Sequence, residues 1–156
     1  MKAIVVSKAG TSKVLEYKEV DTPKLKDGWS LVKVKGFGIN RSEIFTRKGF
    51  SPSVKFPRIL GIECVGEIAE SKVFKKGEKV ISIMGEMGRD FDGSYAEYTL
   101  IPDKQIYKVD TKLSWSDLAA VPETFYTAFG SMKNLQINVN DKVFIRAASS
   151  ATGIAF

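Results

Sequence analysis

Lys142-Val-Phe-Ile-Arg146, followed by Ala147-Ala-Ser-Ser-Ala-Thr-Gly153 and Ile154-Ala-Phe156, sets a short apolar run, a turn of small residues and the opening of a helix in direct succession. That order is how a nucleotide-binding α/β unit begins. Small residues at such a turn let backbone N–H groups approach a pyrophosphate at the positive end of the following helix, where bulk would block them. Against the G-x-G-x-x-G pattern the stretch supplies Ala148, Ser150 and Gly153, so only the third glycine is kept. A strand entering a tight turn in any α/β domain has the same form, and the stretch alone leaves both readings open. The remainder of such a unit does not follow, so the chain is expected to be the front part of a larger enzyme.

Upstream, from Met1 to about Tyr107, Gly, Pro and Asp divide the sequence into short β-prone segments. Residues 2–6, 14–20, 30–36, 64–69, 79–84, 94–101 and 105–109 are the candidate strands. Many short strands with frequent turns predict a closed or nearly closed barrel, and a fold that is mainly β with some α. After Val109 the character changes. Ser114-Trp-Ser-Asp117 has the form of a helix capping box, and Pro122 suits the first turn of a second helix. Phe125, Ala128, Phe129 and Met132 fall at helical spacing and are read as a core stripe rather than a cofactor box.

At 156 residues the chain has room for one domain with a real core and a short extension. Its 44% hydrophobic and 27% charged content is that of a globular protein. No apolar run is long enough to span a bilayer, and the N-terminus lacks the form of a secretory signal, so a cytoplasmic location is the default expectation. The single cysteine, Cys64, excludes an intramolecular disulfide. With no histidine, the chain cannot supply the Cys/His sets that hold zinc, nor a histidine general base. The net charge of +6 is spread over scattered lysines interleaved with Asp and Glu, which reads as solvated faces rather than a nucleic-acid surface.

Two segments carry candidate chemistry. Gly36-Phe-Gly-Ile-Asn-Arg-Ser-Glu43 with Phe45, Arg47 and Gly49 leaves a strand and enters a helix. Asn40 would cap that helix, with Glu43 answering at its third position, and the same turn would aim Asn40 into a cleft. In Phe56-Pro-Arg-Ile-Leu-Gly-Ile-Glu63-Cys-Val-Gly66, Glu63 sits among apolar neighbours and needs a salt bridge or hydrogen bonds. Cys64, between Glu63 and Val65, reads as a buried small hydrophobe rather than a nucleophile.

Taken in order, these segments, the N-terminal Met-Lys-Ala-Ile-Val-Val, Gly93-Ser-Tyr-Ala-Glu-Tyr98, Ala119-Ala-Val-Pro122 with Thr127-Ala128, and the turn at 147–153 resemble the medium-chain dehydrogenase/reductases. The resemblance is strongest to their zinc-free, quinone oxidoreductase-like branch and covers the front half of a member. It implies a GroES-like barrel domain over residues 1–121. Residues 122–156 would then be a connecting helix and the first β-turn-α of a truncated Rossmann domain binding NADP, with NAD as the alternative.

By the same resemblance, Asn40 lies beside the nicotinamide and substrate as a catalytic-site residue, and Phe45 occupies a lining position often held by Tyr. Thr127 sits near the nicotinamide carboxamide, and Ser149, Ser150, Ala151, Thr152 and Gly153 cradle the pyrophosphate. Zinc-dependent relatives carry a ligand Cys where this chain has Asn40 and a ligand His where it has Ile62, so no metal is expected. The implied reaction is hydride transfer from the nicotinamide to a quinone or enone-type acceptor by a full-length enzyme, expected to be a homodimer. The 156-residue chain alone is expected to be inactive. The alternative is a stand-alone, non-catalytic barrel acting as a binding module.

Overall fold

The β-prone segments pair into two antiparallel sheets that share one interior. The computed structural model describes all 156 residues. In chain order the elements are β1 (Lys2–Val6), β2 (Leu15–Glu19), β3 (Trp29–Gly36), α1 (Arg41–Arg47), β4 (Arg58–Ile59), β5 (Glu63–Glu70), β6 (Lys79–Ile83), β7 (Tyr98–Pro102), β8 (Ile106–Lys108), α2 (Trp115–Ala119), α3 (Pro122–Asn134) and α4 (Ala151–Ala155). One sheet runs β2-β1-β4, the other β7-β3-β5-β6-β8. They are joined by a bridge between Ala3 and Ala96, flanked by Ile4 N–H to Tyr95 O at 2.8 Å and Glu97 N–H to Lys2 O at 3.0 Å. The result is a half-barrel around a core of Val32, Cys64, Ile68, Val80, Met87, Ile101 and Ile106.

Each strand expected before residue 110 seats an observed one, with shifts at the ends. The largest lies in 94–101, of which only the part from Tyr98 onward belongs to a strand, Tyr98–Pro102, because residues 94–97 cross between the two sheets and spend their main-chain bonds on both. Arg58–Ile59 was not expected: two residues paired with Val5 and Val6 are too few to show a period in the sequence. Ser114 Oγ accepts from the Asp117 N–H at 3.2 Å, and Pro122 occupies the first turn of α3, as the capping patterns predicted.

Two expectations need correction. Residues 142–146 form no strand and lie largely exposed, with Phe144 at 91%. A strand's backbone groups need a neighbouring strand, and no other segment of the chain pairs with this one. The α3 stripe is likewise not core here. Ala128 is buried, but Phe125 and Phe129 are exposed, because the barrel covers only one edge of the helix.

At the centre of the larger sheet, Gly66 on β5 lies opposite Val34 of β3, next to a break in register. A Cβ at Gly66 would fall 2.3 Å from Lys33 O and 2.9 Å from Val32 Cγ1. The glycine therefore sets how closely the two central strands approach. Gly66→Ala is expected to lower stability by about 1–3 kcal/mol, the range for overpacking a tight interior. Urea unfolding of the two proteins measures it, and an unchanged midpoint would contradict the packing account.

Candidate functional site

Two glutamates, Glu43 and Glu63, are each only 3% exposed, and neither has a lysine or arginine within ion-pair distance. Both are held by hydrogen bonds alone, and those bonds assemble the site. Asn40 precedes α1 in extended backbone (φ −107°, ψ 148°) and acts as its N-cap. Glu43, at the third position, turns back so that its Oε2 accepts from the Asn40 backbone N–H at 2.8 Å. Its Oε1 accepts from the Ile62 N–H at 2.9 Å, and the Tyr95 hydroxyl donates to Oε2. One carboxylate thus ties the head of α1 to the start of β5 and to the crossing segment between the sheets.

Glu63 reaches the other way. Its Oε1 accepts from Asn40 Nδ2 at 2.8 Å, and its Oε2 accepts from the Glu123 N–H, in the first turn of α3, also at 2.8 Å. An anion at a helix N-terminus is favoured by the helix dipole. Gly38 makes the seat: a Cβ there would lie 2.3 Å from Glu63 Oε1. Burial pushes the Glu63 carboxyl above its ordinary value of 4.5. The Asn40 and Glu123 N–H bonds work against that rise, and the charges of Glu123 and Glu43 add to it. Burial, the bond to Glu43 and that neighbour's charge likewise hold the Tyr95 phenol well above its usual range, so it stays protonated.

The expected site residues divide into three groups. Asn40 is part-buried within this network. Phe45, on α1, is half-exposed, with its ring 6.2 Å from that of Phe50 and the Arg41 guanidinium 5.9 Å from its centre. Thr127 is exposed on α3, its hydroxyl donating to the Glu123 carboxylate at 2.8 and 3.0 Å. Asn40 and Thr127 are therefore linked through Glu63 and Glu123. The third group, residues 149–153, lies apart from these bonds. Ser149 is exposed in the turn, Ser150 caps α4 by accepting from the Gly153 N–H at 3.1 Å, and Ala151 and Thr152 open that helix. A Cβ at Gly153 would lie 2.5 Å from Ala147 O, so a glycine is required for the turn to close.

The sequence flagged Glu43 as a capping residue and Glu63 as a buried hydrogen-bonding one, and both readings hold. It missed Tyr95 and Glu123. The only available signal for Tyr95 was its place in Gly93-Ser-Tyr, and Glu123 contributes a backbone N–H that no side-chain pattern could mark. On the pocket side of α1, Leu15, Ile39, Asn40, Ile44, Arg47 and Tyr95 line a small apolar cavity of about 170 Å³.

Residues 26–111 match the alcohol dehydrogenase GroES-like domain. The chain belongs to that family. Human quinone oxidoreductase is 30% identical over 164 residues, which cover 99% of this chain and 48% of that protein. A zinc-type alcohol dehydrogenase-like protein of Schizosaccharomyces pombe is 30% identical over 142 residues, 90% of this chain and 44% of the relative. Among solved structures, the quinone oxidoreductase of Thermus thermophilus, also solved in complex with NADPH, superposes with a TM-score of 0.83 at 27% identity, covering 99% of this chain and 48% of that one. The chain thus spans about half the length of the curated relatives it matches. Its place is among the medium-chain dehydrogenase/reductases, and the GroES-like half-barrel is their fold.

The site makes two expectations. The Cys64 thiol is buried within the core of the GroES-like domain and burial pushes it up to about 12. A thiol reagent should leave it unmodified in the folded protein and react fully after denaturation; rapid native labelling would contradict that burial. A glutamate whose folded pKa is raised contributes stability that is complete below its ordinary value and is lost as pH rises through the folded value. The melting temperature of wild type minus that of Glu63→Gln should therefore fall as pH rises above the ordinary carboxyl value of 4.5. A flat or rising difference would overturn the sign.

Proposed function

We propose that the complete protein is a zinc-independent, NAD(P)H-dependent oxidoreductase that reduces an electron-poor acceptor such as a quinone or an enone. The observation that carries the reading is Asn40 held by Glu63 at the head of α1, in the position where zinc-dependent relatives place a ligand cysteine. In this proposal residues 1–121 form the catalytic GroES-like domain, and residues 122–156 open the nucleotide-binding domain.

The donor set does not fit zinc. Ile62 offers hydrocarbon, Asn40 a neutral amide in place of a thiolate, and the one thiol is turned into the core with its proton firmly held. The turn does fit a dinucleotide. Ser149, Ser150 and Ala151 are exposed, and Gly153 fills a space where a side chain would collide with the turn's own backbone. Ser149, Ser150, Ala151, Thr152 and Gly153 would hold the pyrophosphate and Thr127 the carboxamide end, with NADP or NAD as the occupant. When bound, the nicotinamide supplies a hydride to the acceptor.

What remains for the protein is orientation and the exclusion of water. In this proposal Asn40 offers a polar amide and Phe45 an apolar ring to the reactants. Tyr95, with its proton held by burial and by Glu43, acts as a donor to Glu43 and not as an acid in turnover. The proton that completes reduction of the acceptor comes from solvent. We place the full-length protein as a cytoplasmic homodimer, and no helix of the chain is long and apolar enough to cross a membrane.

The test is oxidation of NADPH and of NADH by the purified complete protein, followed with simple quinones and with an enone, with and without a strong chelator. Chelator-resistant turnover is expected, with the isolated 156-residue chain at background. Turnover that the chelator abolishes would overturn the zinc-free reading. A native product of 17.2 kDa that folds without oxidising either nucleotide would leave the stand-alone binding module instead.

A further inference from the structure

Glu63 stands between two elements that it alone joins by side-chain bonds: Asn40 at the head of α1 and Glu123 in the first turn of α3. One carboxylate oxygen serves each. A carboxylate only accepts hydrogen bonds, so the Asn40 amide must turn its NH2 toward Glu63 and its carbonyl oxygen away. A free asparagine amide could present either end. Here a buried charge at 2.8 Å makes the choice, and Gly38, packed against the same oxygen, keeps that charge in place.

We propose that Glu63 is a positioning residue that fixes the orientation of the Asn40 amide, and so decides which polar atom Asn40 presents to the bound reactants. The inference rests on the oxidoreductase reading, because only there does the orientation of Asn40 affect turnover. It assigns Glu63 no contact with cofactor or substrate. Its action passes through Asn40.

Glu63→Gln is the informative substitution because the shape is kept while one oxygen becomes NH2. The Glu123 N–H belongs to the backbone and cannot turn, whereas the Asn40 amide can. The introduced carbonyl therefore goes to Glu123 and the introduced NH2 faces Asn40, which reverses to meet it with its own carbonyl. The two partners of Glu63 remain bonded, but Asn40 now presents its NH2 where its oxygen had been.

The experiment is a double-mutant cycle in the complete protein, comparing wild type, Glu63→Gln, Asn40→Ala and the double variant. Glu63→Gln is expected to lower kcat by roughly tenfold to a hundredfold, the scale of misplaced reacting groups, while KM for the nicotinamide changes far less. On the Asn40→Ala background the same substitution should change kcat by less than about twofold, since nothing is left to orient. An undiminished loss on that background overturns the proposal. If Glu63→Gln does not fold, Glu63→Asp, which draws the carboxylate back by one methylene, enters the same cycle with the same expectation.

A second readout needs no activity. In protein labelled with 15N-asparagine, the Asn40 side-chain NH2 signals should move, and their exchange with solvent should quicken, on Glu63→Gln. Unchanged signals overturn the proposal directly. If wild type oxidises neither nucleotide while the signals shift as expected, the oxidoreductase reading has failed and the orienting contact stands.

Discussion

Two buried carboxylates without a cation hold the working end of this domain together. Moving an unpaired carboxylate out of water costs several kcal/mol even after the surroundings relax. A hydrogen bond to a charged group returns about 1.5–3 kcal/mol. Glu43 collects three donors, from Asn40, Ile62 and Tyr95, while Glu63 collects two, from Asn40 and Glu123. The donors come from the head of α1, the start of β5, the crossing segment and α3. Neither charge is tolerated unless its donors are in place, so the pair makes the mutual arrangement of these elements close to all-or-none.

That requirement explains features which look unrelated in the chain. Gly38 has no other structural demand on it, since its backbone is not in the left-handed region, yet a methyl group there would meet the Glu63 carboxylate. Gly61 reverses the chain at φ +108° just before Ile62 presents its N–H to Glu43, and a Cβ there would strike Ser94 Oγ at 2.3 Å. Each glycine leaves space that a charge or a neighbouring segment occupies. The β-sheet supplies the frame: β5, buried along most of its length between β3 and β6, carries Glu63 at its first residue, where the side chain can leave the core and face α3.

How much of this was readable from the chain depends on the range of the interaction. Asn40 with Glu43, Ser114 with Asp117 and Pro122 act within one helical turn, and each formed where the residues predicted. The buried state of Glu63 and Cys64 was readable from their apolar neighbours. The partners of Glu63 were not, because Asn40 and Glu123 lie far from it in sequence and one of them contributes only main chain. β4 was lost for a different reason: its two residues owe their conformation to β1, and a run that short carries no alternation of its own.

The contrast at the C-terminal end follows from the same logic. Residues 147–155 form the expected turn and α4, while residues 142–146 just before them form no strand, although Val143, Phe144 and Ile145 have strong β-propensity. A helix closes its hydrogen bonds within its own segment, and Ser150 can cap α4 with no help from elsewhere. A strand leaves every N–H and C=O waiting for a neighbour. In the half-barrel each strand finds that neighbour within the chain. Residues 142–146 find none, and Val143 and Phe144 stay exposed, so propensity alone does not fix the conformation. The nucleotide-binding half of the proposed site is thus encoded in its turn, whereas the strand that should aim that turn is encoded only jointly with whatever pairs with it.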